Sequence, residues 1–281
     1  MIPSILPSTG PIGVFDSGYG GLTILDKIRG LMPEYDYIYL GDSARCPYGP
    51  RSFEVVYEFT LQAVSKLFEL GCPLVILACN TASAKALRTI QQINLPVIDA
   101  TRRVLGVIRP TAECIGEITR SRHVGILATA GTIKSESYLL EIHKLSPDIV
   151  VTGEACPMWV SLVENNEYQS EGADYFVKQH INRLLDKDPM IDTIILGCTH
   201  YPLLLDKIRQ FTPGHIRIIA QGEYVARSLQ DYLNRHPEMD ARCEKGGKCR
   251  FLTTESENKF EESASIFLGR QDIKVKSIAL E

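Results

Sequence analysis

"IILGCTHYP", residues 194–202, places a cysteine where an apolar run stops and a polar, turn-forming stretch begins. The run reads as a buried strand, and Thr199-His200 as the opening of the next element. A lone cysteine at such a point is most often a small hydrophobe. This one has a counterpart. "VILACNTAS", residues 75–83, repeats the layout with Cys79 followed by Asn80-Thr81. Upstream of each lies a second matched pair. "GVFDSGYGGLTIL" from Gly13 and "GILATAGTIKSESYL" from Gly125 both pass from a strand through a small polar residue and glycine into a helix. Asp16 precedes Cys79 by 63 residues, and Thr129 precedes Cys198 by 69. Two echoes in one order point to a duplicated α/β unit, with Cys198 the equivalent of Cys79.

The remaining chain fits that scheme. "IGVF" (12–15), "YIYL" (37–40), "LVILA" (74–78) and "PVID" (96–99) read as buried strands of the first half. "VGILA" (124–128), "IVVTG" (149–153), "TIILG" (193–197) and "IRIIA" (216–220) are their partners in the second. Between the second and third runs, Val56, Phe59, Ala63, Leu67 and Leu70 recur at helical spacing, and Gly71 can close that helix. Strand–helix alternation implies parallel sheets with helices on both faces. The expected fold is therefore α/β, two pseudo-symmetric domains with parallel-type sheets and a cleft between them. Residues 12–104 with about 222–281 would form the first domain and 105–221 the second. The tail is polar and turn-rich around "DYLNRHPEMDARCEKGGKCRF", with "KVKSIAL" as a closing strand, and is expected to pack back on the first half.

Composition narrows the function classes. With 44% hydrophobic and 23% charged residues, the 281-residue chain has globular values. A net charge of −4 argues against a nucleic-acid partner, which needs a basic footprint. No run reaches membrane-spanning length, and "MIPSILPSTGP" lacks the basic start and apolar core of a secretory leader. The eight cysteines form no CxxC pair, so a reduced, cytoplasmic protein is expected. "GYGGLT" lacks the spacing of dinucleotide and P-loop motifs. Cys243 and Cys249 in "CEKGGKC" are the best pair for a disulfide or metal reading, but the further ligands a zinc site needs are missing nearby.

Two matched thiols at strand ends suit one reaction. Ligands bind at the carboxyl ends of parallel strands, near helix N-termini. A thiol there is expected to have its pKa lowered from about 8.5 by the helix dipole and free N–H groups. Racemisation removes a proton from one face of a carbon and returns one to the other, which two facing acid/base groups do without turning the substrate. Asp16 can meet an ammonium group or orient the first thiol, and Ser17 offers a hydroxyl and an N–H. Asn80, Thr81, Thr129, Thr132 and Thr199 add neutral donors for carboxylates. His200 is a proton partner for Cys198 or a satisfied core histidine. In "GDSARCPYGPR", Asp42, Tyr48 and Gly49 line the same surface or form a proline-bounded loop.

In this order and at these intervals, "FDSGYGGLT", "GDSARCPYGPR", "ACNTAS" and "GCTHYP" resemble the glutamate racemases of bacterial cell-wall synthesis, within the aspartate/glutamate racemase family. The resemblance runs from residue 12 to about 235. It implies interconversion of L- and D-glutamate with no cofactor and no metal, supplying D-glutamate for peptidoglycan. An aspartate racemase or related two-cysteine isomerase is the alternative. By similarity, Cys79 and Cys198 are the catalytic acid/bases, with Asp16 and His200 assisting. Substrate contacts carry over to Asp16, Ser17, Tyr48, Gly49, Asn80, Thr81, Thr199 and His200. Asp42 and Glu164 match acidic residues that support the site. Beyond the substrate, a homodimer is allowed but not required. The chain departs from the pattern at Ser161, where proline is expected, and at Gln221, where a small or acidic residue is usual.

Overall fold

The computed structural model describes residues 9–269 and 273–280. The reading of the first eleven residues as no leader falls mostly on residues 1–8, outside the described ones. Strands β1 (Ile12–Asp16), β2 (Tyr37–Gly41) and β3 (Leu74–Leu77) are buried along their whole length, as central strands covered on both faces must be. With β4 (Arg103–Gly106), β9 (Cys249–Thr253) and β10 (Val275–Ser277) they form a six-stranded sheet in the order β10-β9-β2-β1-β3-β4. A second sheet contains β5 (His123–Ala128), β6 (Val150–Ala155), β7 (Thr193–Gly197) and β8 (Arg217–Ala220), in the order β6-β5-β7-β8. Every pairing is parallel. The order β2-β1-β3-β4 is thus repeated as β6-β5-β7-β8, and Cys79 and Cys198 follow equivalent strands.

The helix Phe53–Glu69 shows how local sequence places these layers. Ser52 caps it by accepting the Val55 N–H, and Val56, Ala63, Val64, Leu67 and Phe68 turn inward. Gly71, at φ +93°, takes the left-handed conformation that ends the helix and turns the chain into β3. Among the described residues the chain passes between the sheets twice. It leaves after β4 into the helix Ile108–Ile118 and returns after β8 into the helix Gly222–Arg235. The first packs Ile108, Ala112 and Ile115 on Val124 and Ile126 of β5. The second packs Val225, Ala226 and Leu229 with Ile24, Leu25 and Ile28 of the helix Leu22–Leu31.

Two sequence expectations need correction. Residues 96–99 are not a strand. Pro96 lies in the first turn of the short helix Leu95–Ile98, which continues a helical stretch from Leu87 through a π-turn at Ile90–Asn94. Val97 is 85% exposed, so this apolar run is not core. The fourth strand is Arg103–Gly106, an edge strand whose half-covered residues make a weaker hydrophobic signal. In the tail, β9 emerges from the stretch read as turns and pairs with β2. No disulfide joins Cys249 to Cys243.

Candidate active site

The carboxyl ends of β1, β3, β5 and β7 carry the matched stretches, and both thiols lie there, buried. Cys79 is the N-cap of the helix Asn80–Lys85. Its sulfur accepts the Ala82 N–H at 3.4 Å and donates to Ser17 Oγ at 3.4 Å. Burial pushes this thiol up to about 12, and the nearby Asp16 carboxylate pushes the same way. The contacts with Ser17 and the Ala82 N–H offset only part of that rise. The helix terminus therefore does not make Cys79 a low-pKa thiol, contrary to expectation, because burial strips the anion of water.

Cys198 is placed differently. No helix begins at it. The chain turns through Thr199 and His200 into the 3₁₀ segment Tyr201–Leu204, with Pro202 in its first turn. His200 Nδ1 lies 3.8 Å from Cys198 Sγ, and its Nε2 lies 3.0 Å from Glu164 Oε1. Burial works against an imidazolium, but the bonds to Cys198 and Glu164 prevail and carry His200 up to about 10. Burial likewise opposes the Glu164 carboxylate, while its bonds from His200 and Cys46 hold it below the usual range. Cys46 Sγ donates to the same Glu164 oxygen at 3.0 Å.

Asp16 is fully buried at the end of β1. Its Oδ1 accepts the Gly18 N–H at 3.0 Å, and its Oδ2 accepts the Thr199 hydroxyl at 3.4 Å. Burial raises its carboxyl above the ordinary value, against the pull of His200 and of the Gly21 and Gly18 N–H groups. Asp16 thus reaches from the first sheet to the residue beside Cys198. The loop after it must be glycine where it passes that turn. A Cβ on Gly20 would be driven into Thr199 Oγ1 and lie 2.5 Å from His200 Nδ1.

The remaining expected residues are linked by hydrogen bonds and close contacts near these strand ends. Tyr48 is buried and donates to Asp42 Oδ2, which also meets Arg45 Nε at 2.7 Å, while Thr254 donates to Asp42 Oδ1 at 2.8 Å. Gly49 O accepts the Gly131 N–H at 3.0 Å, and a Cβ on Gly49 would lie 2.9 Å from Thr129 Cβ. Thr81 of the first half meets Thr129 Oγ1 at 3.0 Å and Thr132 Oγ1 at 3.4 Å in the second. Thr129 also caps the helix Ala130–Lys134. Asn80 is bonded to Gln221 and Tyr138. A cavity of about 730 Å³, lined among others by Arg88, Arg109, Glu141 and Tyr232, contains none of these residues. The thiols, imidazole and carboxylates lie elsewhere, among buried side chains at the strand ends.

Residues 23–229 match the family model described as Asp/Glu/Hydantoin racemase. The chain belongs to this family. A glutamate racemase of Bacillus cereus is 40% identical over 271 residues, which is 96% of this chain and 97% of that protein. Among solved structures, a glutamate racemase of Bacillus anthracis has a TM-score of 0.87 at 36% identity, covering 96% of this chain and 98% of that one. The glutamate racemase of Francisella tularensis in complex with D-glutamate has a TM-score of 0.85 at 31% identity, covering 97% and 98%.

Against this family background, both departures find a place. Ser161 is exposed in the helix Trp159–Glu164, and its carbonyl accepts the Asn165 N–H at 3.0 Å. Gln221 is buried at the junction of the two sheets. Sequence reasoning missed Cys46, Tyr138 and Thr254 as members of the site's surroundings. Cys46 lay inside a quoted motif, but nothing in its spacing set it apart from a structural thiol.

Proposed function

We propose that this chain is a glutamate racemase working by proton transfer through two thiols, with D-glutamate feeding peptidoglycan synthesis. The observation that carries the reading is the pair of buried cysteines after equivalent strands of two equivalently ordered sheets, in a full-length relative of glutamate racemases. Cys79 and Cys198 act on opposite faces of the α-carbon, one taking its proton and the other returning one. Cys79 carries its proton in the resting site. His200 holds a proton within reach of Cys198. The resting site thus holds a protonated Cys79 on one side and a His200 imidazolium beside Cys198 on the other. Glu164 stabilises the His200 charge. Asp16 ties the Cys198 turn to the first sheet and faces the substrate ammonium.

Ser17, Asn80, Thr81 and Thr199, with Tyr48 and Gly49, hold the carboxylates and frame the cleft. Thr129 and Thr132 support Thr81, and Asp42 supports Tyr48. Residues 12–104 with 222–281 form the first domain and 105–221 the second, so closure of one on the other would exclude water from the planar intermediate. No cofactor enters the scheme, since thiol and thiolate supply both proton steps. The enzyme is placed in the cytoplasm, a setting suited to eight cysteines that form no disulfide. Among the described residues no helix is long and apolar enough to cross a membrane.

Incubation of the purified protein with L-glutamate in heavy water tests the reading. D-glutamate carrying deuterium at the α-carbon is the expected product. Turnover of L-aspartate in place of glutamate would transfer the reading to aspartate, and no exchange with either would refute it.

A further inference from the structure

One side chain bridges the two passages between the sheets. Gln221, 3% exposed, stands where the chain returns from β8, and its Nε2 lies 3.1 Å from the carbonyl of Val107, where the chain leaves β4. The same nitrogen is 2.6 Å from Tyr138 Oη and 3.2 Å from Thr111 Oγ1. On the other side, Gln221 Oε1 accepts Asn80 Nδ2 at 2.7 Å. Tyr138 Oη donates to Asn80 Oδ1 at 2.7 Å and closes a ring of three side chains. Taken by itself, the ring could run in either direction, with both amides reversed. The Val107 carbonyl, which can only accept, fixes it: Gln221 must present its N–H₂ there and its oxygen to Asn80.

We propose that Gln221 is a positioning residue for racemisation, acting through Asn80 on the Cys79 side of the site. Asn80 directly follows Cys79 and opens its helix. Both atoms of its amide are held, one by Gln221 and one by Tyr138, so its rotamer is set by residues outside the first sheet. Tyr138 comes from the helix Ser137–Leu145 of the second half, and Gln221 from the junction itself. A displacement of one half against the other breaks the ring, so Asn80 is aligned beside Cys79 in one arrangement of the two sheets. Thr111 and the Val107 carbonyl anchor the ring at its far side. All three members are buried, so water does not replace a lost partner.

This inference rests on the glutamate racemase reading, and a double-mutant cycle separates the two. Wild type, Gln221→Met, Asn80→Ala and the double variant are assayed for kcat/KM with both enantiomers, with thermal melts to confirm folding. Methionine keeps the volume of glutamine and cannot make the hydrogen bonds. Gln221→Met should lower kcat/KM by roughly tenfold to a hundredfold, the scale of a small misplacement at a catalytic centre. In the Asn80→Ala background the same change should cost less than about twofold, because the residue it acts through is gone. Should Gln221→Met not fold, Tyr138→Phe opens the same ring at constant shape and runs the same cycle. Equal losses in both backgrounds, or no loss in the wild-type background, would overturn the proposal. A wild-type protein that leaves glutamate unchanged would instead refute the racemase reading, and the role given to Gln221 would fall with it.

Discussion

Glutamine at position 164 changes one charge and almost nothing else. Glu164 Oε1 meets His200 Nε2 at 3.0 Å and accepts the Cys46 thiol at 3.0 Å. Glu164→Gln keeps an acceptor oxygen for both but removes the carboxylate opposite the imidazolium. A hydrogen bond to a charged group contributes about 1.5–3 kcal/mol. At about 1.4 kcal/mol per pKa unit, His200 should lose roughly one to two units. From about 10 in the wild type, it should then titrate near roughly 8–9, with burial still pulling it down. If the His200 proton serves Cys198, the alkaline limb of the kcat/KM profile must move down by the same amount. Because racemisation has an equilibrium constant of one, the limb must move equally for L- and D-glutamate. Nuclear magnetic resonance titration of the His200 ring reads its pKa directly, and initial rates between pH 6 and 11 read the limb. An unmoved ring titration in a folded variant would refute the charge pairing. A shifted titration with an unmoved limb would remove His200 from the proton path.

Three further outcomes follow from the geometry. Cys79→Ala and Cys198→Ala should each lower racemisation by about a hundredfold to ten-thousandfold or more, the usual contribution of a positioned acid/base, with circular dichroism unchanged. Near wild-type turnover in either would end the two-thiol scheme. Gly20→Ala should reduce kcat/KM by roughly tenfold to a hundredfold, since the new Cβ forces Thr199 and His200 from their places; unchanged kinetics would show that the loop yields freely. His200 is raised in the folded state, so its stabilising contribution is complete below its ordinary pKa of about 6.5 and is gone above about 10. The melting temperature should therefore decline between those limits, and the decline should flatten in His200→Asn; parallel wild-type and variant curves would contradict this.

How much of this was visible in the chain depends on what each residue faces. Central strands such as β1, β3 and β7 are covered on both faces and so appear as unbroken apolar runs. β9 hid in a polar tail because exposed Arg250 interrupts it, and β4 hid because an edge strand needs less apolar surface. The thiols were legible because a cysteine at a strand end is chemically rare and occurred twice. The Gln221 ring was not, since an inward-pointing amide and a solvated one are the same letter. Only the meeting of three distant elements gives it meaning. The order of the pKa effects was also hidden: the helix start at Cys79 was readable, but the depth of its burial was not.

The pairing of β2 with β9 has a consequence for synthesis on the ribosome. Asp42, which steadies Tyr48, takes a hydrogen bond from Thr254, 212 residues further along the chain. A nascent chain that has already emerged through β8 contains both cysteines, the imidazole and the carboxylates, yet lacks the strand that seals the edge of its first sheet. That exposed edge, a row of unpaired N–H and C=O groups on β2, is a template for wrong partners until the last thirty or so residues arrive. Chains stopped before Cys249 should therefore aggregate rather than work at reduced rate, and the tail that carries no chemistry decides when the enzyme begins to exist.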